Sequence, residues 1–412
     1  MQPDVLVIGA GVVGLSAAIA AQARGLSVTV VDREGPAAGA SAGNAGAFAF
    51  TDILPLASPG IMRKAPGWLM DPVGPLTVPP AYALRIAPWM VRFAAACRPG
   101  RVAASIAAQT ALMDLSRDEL QPFLRATGTE GMLRKDGNLQ VYESAAEFAA
   151  AAPGWVAREA HGIAFRHVER EEMAAIQPGL APRFIRGTFT PGWYSIDDPK
   201  LYTLALAEHF RARGGRIEVA AVTRLTATDT GIAADTADGR RLTAAQAVLA
   251  AGAHSQRLAR TLGERIPLET ERGYNTTLPP DALDLRTQVT FGGHGFVVTR
   301  LSTGIRVGGA VELGGLSLPP NWRRAQAMLA KAKAFLPALR TEGGTQWMGF
   351  RPSLPDSLPA IGRARATPRV IHAFGHGHLG LTQSAGTARL VADLLTGAAP
   401  VLDLSPFSPQ RF

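Results

Sequence analysis

The chain has 412 residues, more than a single hydrophobic core usually covers, so we expect two domains. Hydrophobic residues make up 47% of the sequence and charged residues 18%, which excludes a disordered chain. The net charge is +9, but the basic residues are scattered, so we expect no nucleic-acid partner. The lone Cys97 excludes an intramolecular disulfide and a multi-cysteine metal site. It suits a reducing compartment, so we expect a cytoplasmic protein without a bound metal.

Two apolar segments are too short to span a bilayer comfortably. The first, residues 5–21, follows an aspartate instead of the basic start of a signal peptide, and glycines interrupt it. The second, from Tyr82 to Ala96, carries Arg85 and Arg92 along its length. We interpret the second segment as an amphipathic or lid helix.

The start of the chain has the pattern of a dinucleotide-binding unit. An apolar strand is predicted over residues 5–8, the turn GAGVVG follows at once, and a helix is predicted over residues 15–23. Gly9 permits the tight turn, Gly11 lets the backbone approach a pyrophosphate, and Gly14 lets helix and strand pack closely. A second strand, predicted over residues 26–31, leads to Asp32, whose carboxylate is expected to accept ribose hydroxyls.

The segment GASAGNAG, residues 39–46, consists of small residues. Such a stretch lets the backbone and the side chains of Ser41 and Asn44 run beside an extended ligand and donate hydrogen bonds to it. A flexible surface loop has the same composition. The segment alone therefore leaves both NAD and FAD open.

Several motifs together resemble the D-amino-acid dehydrogenase branch of the FAD-dependent amine and amino-acid oxidoreductases. The N-terminal ones are GAGVVGLSAA, VVDREG, SAGNAG and PLASPG with KAPGWL, and the later ones are AVLAAG, GFRPSLPDSLPAIG and FGHGHLGLTQSAG. The resemblance spans nearly the whole chain, with glycine oxidase and monomeric sarcosine oxidase as more distant relatives. It implies an FAD cofactor, noncovalently bound because Cys97 lies far from the C-terminal motif where sarcosine oxidase attaches its flavin.

The resemblance also implies which residues contact the cofactor. These are Gly9, Gly11, Val12, Val13, Gly14, Asp32, Arg33, Ser41, Gly43, Asn44, Ala45, Gly46, Val222, Ala251, Gly252, Gly377, His378, Leu379 and Gly380. A strand over Val370 to Phe374 is expected to lead to a helix over residues 381–395, whose N-terminus the family places at the flavin pyrimidine. Its backbone N–H groups and dipole would stabilise negative charge on the reduced ring.

The fold class that follows is α/β, with a Rossmann-like FAD-binding domain interleaved with an α+β substrate domain that contains a mostly antiparallel sheet. We assign residues 1–55, 197–260 and 355–412 to the FAD-binding domain, and residues 56–196 and 261–354 to the substrate domain. Alternating patterns within residues 137–142, 187–190 and 295–300 predict strands of a sheet over the flavin. The active site would lie at the domain interface.

Three residues are predicted to act on the substrate. Arg351 resembles the arginine that binds the substrate carboxylate in a bidentate manner in this family, and its planar guanidinium suits that task. His378 stands where glycine oxidase has a second such arginine, so it either bonds the substrate, carries a proton or fills a polar pocket. Tyr274 resembles a residue that borders the cavity and the flavin, although an ordinary buried sheet tyrosine has the same pattern.

Other residues are expected to shape the pocket. Phe296 replaces a substrate-binding tyrosine of glycine oxidase and would offer an apolar wall. The proline-rich segment from Phe48 to Trp68, which includes Lys64, would line or cover the pocket. His376 would brace the loop or the flavin. Together Phe296 and His378 favour a substrate bulkier or more apolar than glycine, a cyclic imino acid included.

The implied reaction is oxidation of a D-amino acid to the imino acid by hydride transfer to flavin N5, followed by hydrolysis to a 2-oxo acid and ammonia. We expect positioning, rather than a side-chain base, to drive it. The resemblance favours a quinone as electron acceptor and allows peripheral contact with the inner membrane. Alternatives are oxidation of a secondary or cyclic amino acid such as D-proline, hydroxyproline or sarcosine, oxidation of a 2-hydroxy acid, and a noncatalytic electron-relay subunit.

Overall fold

A computed structural model describes residues 2–58, 61, 74 and 76–412. Its strands are β1 Val5–Ile8, β2 Val28–Asp32, β3 Ala47–Ala49, β4 Leu76–Thr77, β5 Leu133–Arg134, β6 Asn138–Tyr142, β7 Arg166–Glu169, β8 Arg186–Thr190, β9 Trp193–Ile196, β10 Arg216–Val219, β11 Val222–Ala227, β12 Ile232–Thr236, β13 Arg241–Ala244, β14 Gln246–Leu249, β15 Glu269–Leu278, β16 Gln288–Phe291, β17 Phe296–Leu301, β18 Gly304–Glu312, β19 Thr345–Ser353, β20 Ala360–Arg363 and β21 Val370–Phe374. Its α-helices are α1 Val12–Ala23, α2 Ala83–Ala96, α3 Pro99–Thr127, α4 Ala145–Ala160, α5 Arg170–Ile176, α6 Pro199–Ala212, α7 Ser255–Thr261, α8 Arg323–Phe335 and α9 Ser384–Thr396. None of the helices within these ranges combines the length and the hydropathy that a bilayer span requires.

The first sheet carries the predicted dinucleotide-binding unit. Among the described residues it has six strands in the order β10-β2-β1-β14-β21-β20, all parallel except the edge pair β20 and β21. Strand β1 is a continuous apolar run and β21 is apolar except for the buried His372, as expected when helices cover both faces of a parallel sheet. Helices α1 and α9 pack against each other on one face and bury their small side chains there.

The second sheet is larger and mostly antiparallel. Within the described part of the chain its order is β19-β15-β18-β17-β16-β6-β8-β7, and the short β4 pairs with β18. One face packs on α8 through an aromatic cluster that includes Phe291, Phe296 and Phe335. The other face turns towards the first sheet and, as the next section describes, forms one wall of a cavity.

Two smaller three-stranded sheets, β11-β12-β13 and β3-β9-β5, complete the described topology. The first sheet draws its strands from three separated stretches, residues 5–32, 216–249 and 360–374, and the second sheet draws its strands from the stretches between them. The predicted fold class, a Rossmann-like α/β domain interleaved with an α+β domain, is confirmed. The domain boundaries given above stay a prediction.

Several predicted element bounds need correction. Helix α1 begins at Val12, because Gly11 has an extended backbone and serves as the N-cap residue directly after the glycine turn. Helix α9 begins at Ser384 instead of residue 381, because residues 380–383 form turns in which the Gln383 N–H donates to the Leu379 carbonyl. Strand β14 ends at Leu249, inside the AVLAAG motif.

Candidate functional site

A single large cavity of about 1060 Å³ runs between the two main sheets in the described part of the protein. Residues at the carboxyl ends of β1 and β2 line one end of it, and residues of β15, β18 and β19 line the other. Ligands of open parallel sheets bind outside the carboxyl ends of the strands, so this location is the expected one for a nucleotide. Most of the predicted cofactor residues line this cavity, and Gly14 and Gly46 lie outside its lining.

The glycine turn is packed so tightly that side chains cannot replace two of its glycines. A Cβ atom on Gly9, which has a φ of 115°, would lie 2.3 Å from the Ala250 carbonyl oxygen. A Cβ atom on Gly14 would lie 2.0 Å from the Gly9 carbonyl oxygen. Strand, turn and helix therefore approach as closely as a phosphate-binding turn requires, with the N-terminus of α1 directed at the cavity.

Asp32 lies at the end of β2 on the cavity wall, where the sequence predicted it. One carboxylate oxygen accepts a 2.8 Å hydrogen bond from the Ala10 N–H, and the other accepts from the N–H groups of Glu34 and Gly35. These bonds fix the carboxylate while leaving lone pairs that can accept hydroxyl groups. Arg33 lies beside it, 3.3 Å from the His254 Nδ1, and both residues line the cavity.

The small-residue segment is held by its own hydrogen bonds. The Ser41 hydroxyl accepts a 2.9 Å bond from the Val12 N–H, which leaves its proton available to a phosphate. The Asn44 amide instead braces the loop, because its Oδ1 accepts from the Gly46 N–H and its Nδ2 donates to the Ser41 carbonyl. The second hydrogen of Nδ2 remains available to a ligand, so the predicted hydrogen bond from the Asn44 side chain stays a prediction.

Gly43 is the point where this segment meets the second sheet. A Cβ atom there would lie 2.3 Å from the Trp347 ring, and its carbonyl accepts a 2.8 Å bond from the Asn275 amide. Arg306 holds the same loop by donating to the Asn44 carbonyl at 2.6 Å. The sequence analysis missed Trp347, Asn275 and Arg306, which come from three neighbouring strands and carry no local motif.

The other predicted cofactor residues line the cavity from the second and third nucleotide-binding stretches: Val222, Ala251, Gly252, Gly377, Leu379 and Gly380. His376 lies behind them and hydrogen-bonds the Thr387 hydroxyl at 3.0 Å, so it braces the loop as expected. Burial lowers the pKa of His376 to about 3, which keeps the imidazole neutral.

Arg351 lies on the cavity face of β19 at the opposite end from the glycine turn. Its Nη1 donates to the Ala310 carbonyl at 2.8 Å and its Nη2 to the Gly309 carbonyl at 3.4 Å. Ala310 has a φ of 58°, a left-handed conformation that alanine rarely adopts and that a functional site can stabilise. A Cβ atom on Gly273 would lie 2.4 Å from Arg351 Nη2, so this glycine gives the guanidinium its space.

Glu271 is a second charged residue on the same wall, and the sequence analysis did not single it out. It lies opposite Arg351 in the antiparallel pairing of β15 with β19, and its exposure is only 3%. Its carboxylate forms no hydrogen bond or ion pair with any residue that the structure describes. Burial lowers the pKa of Arg351, while the charge of Glu271 raises it. Two opposite charges thus face one cavity without neutralising each other directly.

His378 is paired with Asp52 at the edge of this region. The His378 Nε2 lies 3.0 Å from Asp52 Oδ2, and Arg158 lies 3.5 Å from the other carboxylate oxygen. Burial would lower the pKa of His378, but the hydrogen bond and charge of Asp52 raise it overall. Burial would likewise raise the pKa of Asp52, but His378 and Arg158 lower it. The pairing favours an imidazolium, not a free second anchor for a carboxylate.

Tyr274 and Phe296 are both among the residues that line the cavity, and their rings also pack in the core of the second sheet. The Tyr274 hydroxyl lies 3.2 Å from Glu312 and accepts a 2.9 Å bond from the Asn321 N–H, and burial raises its pKa. It belongs to the core beneath the sheet because it follows Gly273 on the strand and side chains alternate between faces. The Phe296 ring stacks on Phe291 in the same core. The roles predicted for these two residues, a catalytic tyrosine and an apolar wall, stay predictions.

The proline-rich segment predicted to cover the pocket is described only in part. Residues 59, 60 and 62–68 lie outside the described residues, and Lys64 is among them. Asp52, Leu56 and Ile61, which are described, line the cavity. Helix α2 comes after this segment in the chain, and its bounds agree closely with the predicted ones. Its residues Trp89, Met90 and Phe93 line the same cavity.

The fold and the cavity define a dinucleotide-binding oxidoreductase with a charged pocket at the far end from the phosphates. Comparison with protein families identifies the family of this oxidoreductase. Residues 4–394 match the model described as FAD dependent oxidoreductase (DAO), and the chain belongs to this family. The glycine turn, Asp32 and the small-residue loop fit FAD, the cofactor of the family.

Similar proteins agree with this assignment. The chain is 36% identical to a D-amino-acid oxidase of Bradyrhizobium diazoefficiens, over 99% of this chain and 98% of the relative. It is 31% identical to a D-amino acid dehydrogenase of Rhizobium johnstonii, over 99% of each. The crystal structure of glycine oxidase from Geobacillus kaustophilus superposes with a TM-score of 0.78 at 22% identity, covering 100% of this chain and 99% of that one.

Proposed function

We propose that this protein oxidises a D-amino acid at the carbon that bears the amine. The observation that carries the proposal is the pair of Arg351 and Glu271, opposite charges at paired positions of adjacent strands that face the cavity and do not bond each other. A zwitterionic amino acid complements such a pair, with its carboxylate on Arg351 and its ammonium on Glu271. A 2-hydroxy acid would leave Glu271 buried and unpaired, which is costly. The names of the similar proteins support the D configuration.

The residues of this chain would perform the remaining steps. Arg351 holds the substrate carboxylate, and the carbonyls of Gly309 and Ala310 keep the guanidinium in place. Glu271 accepts a proton from the ammonium, so that the amine lone pair can form the C=N bond as hydride leaves the α-carbon. Bound FAD supplies the two-electron acceptor for that hydride. Water then hydrolyses the imino acid to a 2-oxo acid and ammonia.

This assignment adds a proton acceptor to a mechanism for which the sequence analysis expected positioning alone. Arg351 and Glu271 are then the catalytic residues, with the His378–Asp52 pair beside them as positioning groups. The FAD contacts would come from the cavity-lining residues described above, from Gly9 and Gly11 to Leu379 and Gly380. The site would lie between the FAD-binding segments 1–55, 197–260 and 355–412 and the substrate segments 56–196 and 261–354.

We further propose that a quinone accepts the electrons. The resemblance to D-amino-acid dehydrogenases favours a quinone and a location in the cytoplasm with contact to the inner membrane surface, whereas one relative is named an oxidase. Oxygen consumption and quinone reduction, measured on the same preparation with the same amino acid, distinguish the two acceptors. Faster oxidation by oxygen than by quinone would contradict the dehydrogenase assignment.

The reaction class is tested by mixing the purified holoprotein anaerobically with panels of D-amino acids, L-amino acids, N-alkyl and cyclic amino acids, and 2-hydroxy acids. Loss of the oxidised flavin absorbance reports reduction without any choice of acceptor. We expect D-amino acids to bleach the flavin fastest. Bleaching by secondary amino acids alone would support the cyclic-substrate alternative, and no bleaching by any compound would support a noncatalytic subunit.

A further inference from the structure

The cavity has an apolar lobe next to the charged pair. Six residues that contribute to its wall are Leu56, Leu76, Trp89, Phe93, Val311 and Leu313. The Trp89 and Phe93 rings stack on each other with their centroids 5.2 Å apart and an angle of 16° between their planes. Both side chains are 9% exposed or less, so together they form a flat, mostly buried apolar surface.

This lobe adjoins Glu271. A second void, of about 10 Å³, is lined by Trp89 and Phe93 together with Glu271 and His378. The helix that carries the two rings is also fixed to the same strand, because the hydroxyl of Tyr82, just before α2, donates to Glu269 at 3.0 Å. Glu269 and Glu271 are two positions apart on β15 and therefore on the same face.

The part of the lobe wall that β18 and β4 contribute is also held in place by the sheet. Val311 lies at the end of β18, directly after Ala310, whose carbonyl accepts from Arg351, and Leu313 is the first residue after the strand. The short β4 pairs with this strand, with Leu76 opposite Val311. The strand whose carbonyls hold the Arg351 guanidinium therefore continues into the apolar wall, so this wall adjoins the proposed carboxylate anchor.

We infer that the lobe formed by Leu56, Leu76, Trp89, Phe93, Val311 and Leu313 takes the side chain of the substrate, and that the preferred substrates are amino acids with a large apolar or aromatic side chain. The inference rests on the proposed function. A charged side chain would lose its hydration there, and none of these six residues offers an opposite charge. A methyl side chain would leave the stacked rings without contact.

The test compares D-phenylalanine with D-alanine in anaerobic flavin reduction. For the wild-type protein we expect the second-order rate constant to favour D-phenylalanine by about 10- to 100-fold, a range typical of apolar pocket discrimination. Trp89→Ala and Phe93→Ala are each expected to reduce this preference by about tenfold, because each removes part of the apolar surface. Val311→Phe, which fills the lobe, is expected to reduce it as well.

Leu84→Ala is the matched control, because Leu84 lies on the same helix with 93% exposure. The ratio of the two rate constants does not depend on how much of a preparation is folded, so a destabilised variant still gives an answer. A wild-type preference for D-alanine, or a ratio that none of the three lobe variants changes, would overturn the inference and leave the proposed function standing. Failure of every amino acid to bleach the flavin would overturn both.

Discussion

Replacement of Arg351 by alanine tests how the carboxylate is held. The Nη1 and Nη2 atoms already donate to the carbonyls of Ala310 and Gly309, and each keeps a second hydrogen, with Nε as a further donor. Two charge-assisted bonds to a carboxylate, at about 1.5–3 kcal/mol each, contribute about 3–6 kcal/mol. At about 1.4 kcal/mol per factor of ten, kcat/KM for D-amino acids should fall by about 10²- to 10⁴-fold.

The same variant should retain its flavin, because Arg351 lies at the end of the cavity away from the glycine turn. The assay is steady-state kcat/KM on protein whose flavin content is measured by absorbance. Arg351→Lys keeps the charge but not the planar fork, so it should recover only part of the activity. Arg300→Ala, at an arginine whose side chain is 48% exposed, is the control. A kcat/KM for Arg351→Ala equal to that of the control would refute the assignment.

The remaining predictions concern the proton, the ion pair and the cofactor. Glu271→Gln should shift the kcat/KM profile to higher pH, because only amines already neutral in solution would react; an unchanged profile would remove Glu271 as proton acceptor. The pKa of His378 is raised in the folded protein. The stability that His378 contributes is therefore complete below the ordinary pKa of 6.5 and is lost as pH rises through the folded pKa. The pKa of Asp52 is lowered, so the stability that Asp52 contributes is present above the ordinary pKa of 3.8 and is lost as pH falls through the folded pKa. Denaturant titrations from pH 6 to 9 should therefore show wild-type stability falling with pH, with a flatter curve for His378→Asn, and parallel curves would contradict the pair. Acid precipitation should leave yellow FAD in the supernatant, and colour in the pellet would mean a covalent link.

The elements near the first glycine turn could be predicted because local rules determine them. A Cβ atom at Gly9 or Gly14 would collide with backbone, so the motif that encodes the turn is visible in the sequence itself. Mostly apolar runs likewise identified β1 and β21 to the residue. The start of α9 was misjudged because turns after Gly380 delay the helix, and no residue pattern marks where those turns end.

The substrate end could be predicted only where the family motif reaches it. Arg351 could be proposed from the sequence because it lies within GFRPSLPDSLPAIG, whereas Glu271 could not, because its place beside Arg351 depends on the pairing of β15 with β19. Pairing between distant strands is a long-range property that periodicity does not encode. Tyr274 shows a related ambiguity: it lines the cavity, yet its hydroxyl bonds Glu312 in the core, and one position along a strand decides which face a side chain takes.

The central claim is that Arg351 and Glu271 together select an amino acid over an acid without an amine. The most direct measurement is anaerobic flavin reduction by two compounds that differ only at this group, D-phenylalanine and D-3-phenyllactate. The account predicts rapid bleaching by the amino acid and little or none by the hydroxy acid, because the hydroxy acid leaves Glu271 unpaired. Equal rates, or faster bleaching by phenyllactate, would contradict it.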